Sequence, residues 1–182
     1  PLFATTYYFL RADREPFDDD RIRRALALLL PWEEIRSEEI QFIPATTLVP
    51  EIPYYPDVEG IEERNEEEAL ALLEEAGYRG GIRLPGITVH VPQGEESARV
   101  AGLMKEAWES TLEVTVDIVV TPYPEYFDIL GDSDFTVGTV SWIGDFADPL
   151  TFLQMWISDS NVNDAGFADP TYDRLIDQSM QE

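Results

Sequence analysis

Residues 142–149 read Trp142-Ile143-Gly144-Asp145-Phe146-Ala147-Asp148-Pro149. Before them stands an apolar, β-prone run, Phe135 to Val140. After them Pro149 opens a stretch carrying Phe152, Leu153 and Trp156. Proline suits the first turn of a helix, where its missing N–H has no partner to lose. The segment therefore reads as a strand-to-helix turn. In open α/β sheets ligands sit at such C-terminal strand ends. A tryptophan beside an acid suits a ligand with an apolar body and a cationic end. The alternative is structural, with Trp142 in the core, Asp145 forming a turn and Asp148 capping the helix. These residues alone leave both readings open, and Asp148 caps under either.

Working outward, the same alternation recurs. Tyr7-Tyr8-Phe9-Leu10 is a strand signal. Pro16-Phe17-Asp18-Asp19-Asp20 opens a helix whose Ile22, Ala25, Leu26 and Leu29 fall on one face, leaving Arg21, Arg23 and Arg24 wet. Pro31 to Ile35 reads as a break and a second short helix. Four prolines between Ile43 and Pro56 prescribe a long ordered loop. Asn65 caps the next helix, which buries Ala69, Leu72, Leu73 and Ala76 and stops at Gly77. Ile87 to Val91 is a strand and Glu95 to Ser110 a helix with Val100, Leu103, Met104 and Ala107 inward. Val114 to Val120 is a strand, Tyr123 to Leu130 a short helix. Asp169-Pro170 starts the last helix, with Tyr172, Leu175 and Ile176 inward. The expected fold is α/β, a mixed central sheet flanked by helices, with residues 1–182 as one domain.

Composition narrows the function. The chain has 182 residues, 44% of them hydrophobic, enough for one domain with a core. No apolar run approaches the roughly 20 residues that cross a bilayer. Pro1-Leu2-Phe3 has neither a basic start nor a long apolar core, so the chain is expected to begin after processing or inside a longer protein. With no cysteine there is no disulfide, thiolate metal site or Cys nucleophile. A formal net charge of −25 argues against nucleic-acid binding. The acidity reads as a solubility device, as attraction for cationic ligands, or as a habitat bias, since Lys105 is the sole lysine.

Motifs for catalysis are thin. His90 is the only histidine, it sits in an alternating strand, and no G-x-S-x-G elbow accompanies it. Asp145 and Asp148 can be cast as a glycosidase pair, but sequence spacing does not establish their separation. Asp159 to Gly166 begins like a calcium loop. Its sixth position is Asp164 rather than glycine and its twelfth is Pro170 rather than glutamate, so it reads as a polar turn. Gly80-Gly81 lacks the Lys-Ser/Thr of a phosphate loop. No enzyme activity, cofactor or metal is expected.

Five ordered motifs carry a resemblance. These are Pro16 to Leu26, Pro44-Ala45 with Pro50, Glu68-Ala69 through Leu72 to Tyr78, Trp142-x-Gly144-Asp145-x-x-Asp148-Pro149, and Asp169-Pro170-x-Tyr172-Asp173-x-Leu175-Ile176. Together the chain resembles the C-terminal lobe of the family 5 solute-binding proteins, which include the oligopeptide- and dipeptide-binding subunits of bacterial ABC importers. The resemblance implies a periplasmic-binding-protein-like lobe belonging to a longer two-lobed protein, periplasmic or anchored outside the membrane. Its implied partners are a peptide ligand, the N-terminal lobe outside this sequence and a membrane permease. Asp145 then pairs with the peptide's α-amino group, a charge-assisted bond of about 1.5–3 kcal/mol. The backbone of Ser141 to Ile143, with Trp142 and Gly144, then bonds the extended peptide like an added strand. Tyr123 takes the place of an aromatic that packs on the ligand. Thr139 and Leu130 stand where the oligopeptide type has arginines near the ligand. That departure leaves room for the family's other ligands, which are nickel chelates, haem and oligosaccharides. A carboxylate hydrolase and a ligand-free surface scaffold are the readings from other classes.

Overall fold

The computed structural model describes residues 3–37, 43–53, 55–132 and 134–181. Pro1 and Leu2 of the readings above lie outside them. Four strands form one mixed sheet: β1 (Ala4–Leu10), β2 (Ile87–Pro92), β3 (Val116–Thr121) and β4 (Val137–Ile143), in the order β1-β4-β2-β3. β2 runs parallel to both β3 and β4, and β1 is antiparallel to β4. The helices are α1 (Asp20–Leu28), α2 (Trp32–Ile35), α3 (Glu66–Glu75), α4 (Glu95–Thr111), α5 (Tyr123–Asp132), α6 (Leu150–Leu153) and α7 (Pro170–Ser179). This is the α/β lobe expected, with a mixed sheet flanked by helices.

Period-2 alternation splits the sheet between two cores. Ile87, Val89 and Val91 of β2 face a large apolar cluster supplied by α1, α3 and α4, where Ile22, Leu26, Leu73 and Met104 are buried. The opposite face is smaller and aromatic. Phe9, Tyr126, Leu130 and Phe135 are buried there against Tyr7, Trp156 and Phe167. Trp108 satisfies its buried indole N–H by donating to the Leu26 carbonyl at 2.9 Å, which ties α4 to α1.

The helix ends follow local chemistry. Asp19 accepts the Arg21 N–H at the start of α1, Asn65 the Glu68 N–H at α3, and Asp169 the Thr171 and Tyr172 N–H groups at α7. Gly77 follows α3 at φ 88°, the left-handed conformation that ends a helix. The described residues between Ile43 and Pro56 form neither helix nor strand.

Several boundaries differ from the sequence reading. β4 spans Val137–Ile143 rather than Phe135 to Val140, because β1 continues beside it and pairs Thr6 with Ser141, Thr5 with Trp142 and Ala4 with Ile143. β3 begins at Val116, where its pairing with Ile87 begins. The helix after Pro149 lasts one turn before a 3-10 turn over Gln154–Trp156. Leu175, expected inward, is 53% exposed; α7 buries Ile176.

Candidate functional site

β2, β3 and β4 are parallel, so their C-terminal ends share one end of the sheet. Trp142 to Asp145 leave the end of β4 there, and α5 starts there with Tyr123, just after β3. Two strand spacings, about 10 Å, separate β3 from β4 in the sheet order.

The route from β4 into the turn is held on one side by β1. The hydroxyls of Ser141 and Thr6 bond at 2.7 Å. The Gly144 N–H donates to the Phe3 carbonyl at 2.8 Å, carrying the ladder one residue past the strand. In an antiparallel ladder alternate residues point their N–H and C=O toward the partner. Gly144 points toward β1, so Ser141 and Ile143 point away from it.

On that far side β4 has little company. β2 pairs with it at a single position, Val89 opposite Val137. Beyond that position the Tyr126 hydroxyl stands between the strands. It accepts the Thr139 N–H at 2.9 Å and lies 3.1 Å from the His90 carbonyl and 3.0 Å from that of Thr139, positioned to donate to either. Tyr126 is 1% exposed, so no water competes for these bonds. Past this wedge, among the described residues, no strand lies against the outward edge at Ser141 and Ile143.

Thr139 is buried, and its hydroxyl donates to the Tyr7 carbonyl at 2.9 Å. It therefore lies beneath the surface, where it can orient its neighbours. Leu130 is likewise core. Ser141 and Asp145 are exposed, Ile143 is 60% exposed, and Trp142 is half-buried with its indole N–H enclosed and without an acceptor among the described residues. Tyr123 is 58% exposed and packs edge-on against Phe127, ring centroids 5.2 Å apart.

Gly144 is demanded by packing. A Cβ there would lie 2.6 Å from the Phe3 ring and 3.0 Å from the Thr151 methyl. The Asp145 N–H donates to the buried Thr151 hydroxyl at 2.9 Å, leaving its carboxylate free to face solvent. Among the described residues no Arg or Lys forms an ion pair with that carboxylate. Asp148 differs: its Oδ1 accepts the Leu150 N–H at 2.8 Å, capping α6 as its sequence position suggests. The two acids thus separate into one unpartnered and one engaged.

His90 is a core residue. It is 4% exposed, its Nε2 lies 2.7 Å from the Thr121 hydroxyl, and rings of Tyr126 and Phe135 pack edge-on against it. Burial depresses its pKa below 6.5. The Asp159–Gly166 stretch is a chain of turns stitched by Asn163, whose side chain donates to the Ile157 and Phe167 carbonyls and accepts the Phe167 N–H. A cleft of about 420 Å³ follows the outer edge of β1, walled by Tyr8, Leu10, Leu153, Trp156, Phe167 and Tyr172. Asp145 and Trp142 do not line it; they stand on the open rim of the sheet.

The sequence reading missed Tyr126 and Thr151. Both are core residues whose single hydroxyl meets a backbone group at or just past β4, Thr139 for Tyr126 and Asp145 for Thr151. Tyr126 at least carries a signal, since a phenol on the inward face of a helix needs a polar partner.

The sequence profile described as bacterial extracellular solute-binding proteins, family 5 Middle, matches residues 1–164, and the chain belongs to this family. It is 29% identical to the oligopeptide-binding protein OppA of Bacillus subtilis (strain 168), over all of this chain and 35% of that protein. It is 27% identical to the periplasmic murein peptide-binding protein MppA of Escherichia coli (strain K12), again over all of this chain and 35% of the relative. The solved structure of the Escherichia coli murein tripeptide binding protein MppA superposes with a TM-score of 0.88 at 27% identity, covering 100% of this chain and 37% of that one. The chain therefore spans about a third of the relatives it matches. These relatives are solute-binding proteins rather than enzymes. Among the described residues no helix is long and apolar enough to cross a membrane.

Proposed function

We propose that this chain is the C-terminal ligand-binding lobe of an extracytoplasmic peptide-binding protein that serves an ABC importer. One observation carries the reading: among the described residues, no strand pairs with the outward edge of β4 at Ser141 and Ile143, and no cation pairs with Asp145 where that edge ends. An extended peptide laid along that edge bonds it as an added strand. Its N-terminal ammonium meets the Asp145 carboxylate in a charge-assisted bond. Trp142, Gly144 and the exposed ring of Tyr123 border the ligand. Thr139, held by Tyr126, sets the course of β4 beneath it.

Asp145 stands on an open rim, so the remainder of the protein must cover the ligand's other face. Closure of two lobes about a hinge removes water from the ammonium–carboxylate pair and commits the peptide for delivery to a membrane permease. No chemistry on the peptide is required.

The test is calorimetric titration of peptides into the full-length protein and its Asp145→Ala variant. Binding is lost in the variant; an unchanged affinity overturns the assignment. Hydrolysis of the added peptide would overturn it too.

A further inference from the structure

We propose that this chain is built to fold at high ionic strength, and that its compact state loosens when salt is removed. The sequence holds 37 Asp and Glu against 12 Lys and Arg. Complete pairing of every cation would still leave a charge of −25. Such an excess opposes the compact state through self-repulsion.

Placement of the acids within the helices adds to this. The C-terminal end of a helix is its negative pole, where bases stabilise and acids destabilise. Among the described residues no α-helix has a base in its last turn. Guanidinium groups from other segments reach two of these ends, Arg99 at the Glu34 and Ile35 carbonyls of α2 and Arg21 at the Glu75 carbonyl of α3. Acids nevertheless occupy the last turns of α3 and α7, Glu75 and Asp177, both exposed. Favourable capping explains Glu66 to Glu68 at the start of α3; it does not explain these two.

The cations are deployed in keeping with this. Lys105, the sole lysine, is anchored to Glu109 at 2.8 Å and to the Val116 carbonyl. Arginine makes the other ion pairs among the described residues, with forked contacts such as Arg21 on Asp19 and Arg99 on Glu96. A planar fork holds its partner by directed hydrogen bonds as well as by charge. Its geometry therefore survives salt that weakens a point-charge pair.

The Debye length supplies the switch. It is about 10 Å at 0.1 M and roughly 3 Å at 1 M. Carboxylates lying within the first distance of one another repel, and at the second they are screened. Removing salt thus adds repulsion everywhere on the surface and restores the penalty at the helix ends.

The experiment is thermal melting of the chain, followed by circular dichroism, in 0.1, 0.5, 1 and 2 M KCl and in matched NaCl. The expected Tm rises by roughly 5–10 °C or more, mostly below 1 M and equally in both salts. A chain unfolded at 0.1 M that regains helix on salt addition supports the proposal equally. The double variant Glu75→Gln, Asp177→Asn melts higher than the parent at 0.1 M, and the difference closes by 2 M. A Tm that does not change with salt overturns the proposal. So does a rise that continues steadily above 1 M and is identical in the variant, because that is general salting-out.

Discussion

The Tyr126 hydroxyl accepts the N–H of Thr139 at 2.9 Å and lies 3.0 Å from the same residue's carbonyl oxygen, so a side chain from α5 occupies the place of a neighbouring strand. The parallel pairing of β2 with β4 ends beside it. This contact makes the free edge at Ser141 and Ile143 a built feature of the lobe. Tyr126→Phe keeps the ring packing and deletes the hydroxyl, leaving the Thr139 N–H without its partner in the core. The expected cost is about 1–3 kcal/mol, read as a lower midpoint in urea denaturation. In the full-length protein peptide affinity falls as well, because the edge loses its alignment.

Gly144→Ala places a methyl within 2.6 Å of the Phe3 ring, which packs edge-on against Phe152 at 5.0 Å. Either Phe3 yields or the turn carrying Asp145 moves. Destabilisation of about 1–3 kcal/mol is expected, measurable by the same denaturation. A variant as stable as the parent would show that Phe3 gives way freely.

The two acids of the turn should respond oppositely. Asp148→Ala removes the acceptor of the Leu150 N–H and should cost about 0.5–2 kcal/mol. Asp145→Ala removes an exposed carboxylate that has no cationic partner among the described residues, and should alter stability by less than about 0.5 kcal/mol. Peptide binding in the full-length protein is expected to order them the other way, with Asp145→Ala the more damaging. Equal effects on both measurements would end the division of roles.

The isolated lobe should bind peptide very weakly. It offers one face of the ligand a partner and leaves the other wet, while association entropy must still be offset. Calorimetry with the 182-residue chain tests this, and submicromolar binding would contradict it.

His90 gives stability a dependence on pH. Burial depresses its pKa below 6.5, so the folded state refuses a proton that the unfolded chain accepts. Above pH 6.5 both states are neutral and the group contributes no slope. Below it, stability falls until the folded pKa is reached. Urea midpoints between pH 7 and about 5.5, above the carboxylate range, should decline for the parent and flatten for His90→Gln. Parallel declines would assign the slope elsewhere.

Much of the architecture is legible in the sequence. Ile22, Ala25, Leu26 and Leu29 recur at helical spacing because one side of a helix must leave water, and all four are buried. Asp19, Asn65, Asp169 and Gly77 mark helix ends because unpaired backbone groups need partners that few side chains supply. Asp148 as a cap followed from the same rule. These are short-range effects, decided within a few residues of chain.

The run from Trp142 to Pro149 marks the limit of that legibility. Its own residues identified a turn with two acids, an aromatic and a helix start. They did not reveal that Ser141, Trp142 and Ile143 belong to β4, because the partner strand lies more than 130 residues away. They did not reveal that Thr139 is buried or that Tyr126 blocks β2. Nor could Leu175, apolar and in helical register, announce that its side of α7 faces water. The sequence by itself determined which segments are helix or strand, which side chains cap helix ends, and how much negative charge the surface must carry. Only tertiary structure decided which strand edge stays open and which acid stays unpartnered, since both depend on what distant segments place beside β4.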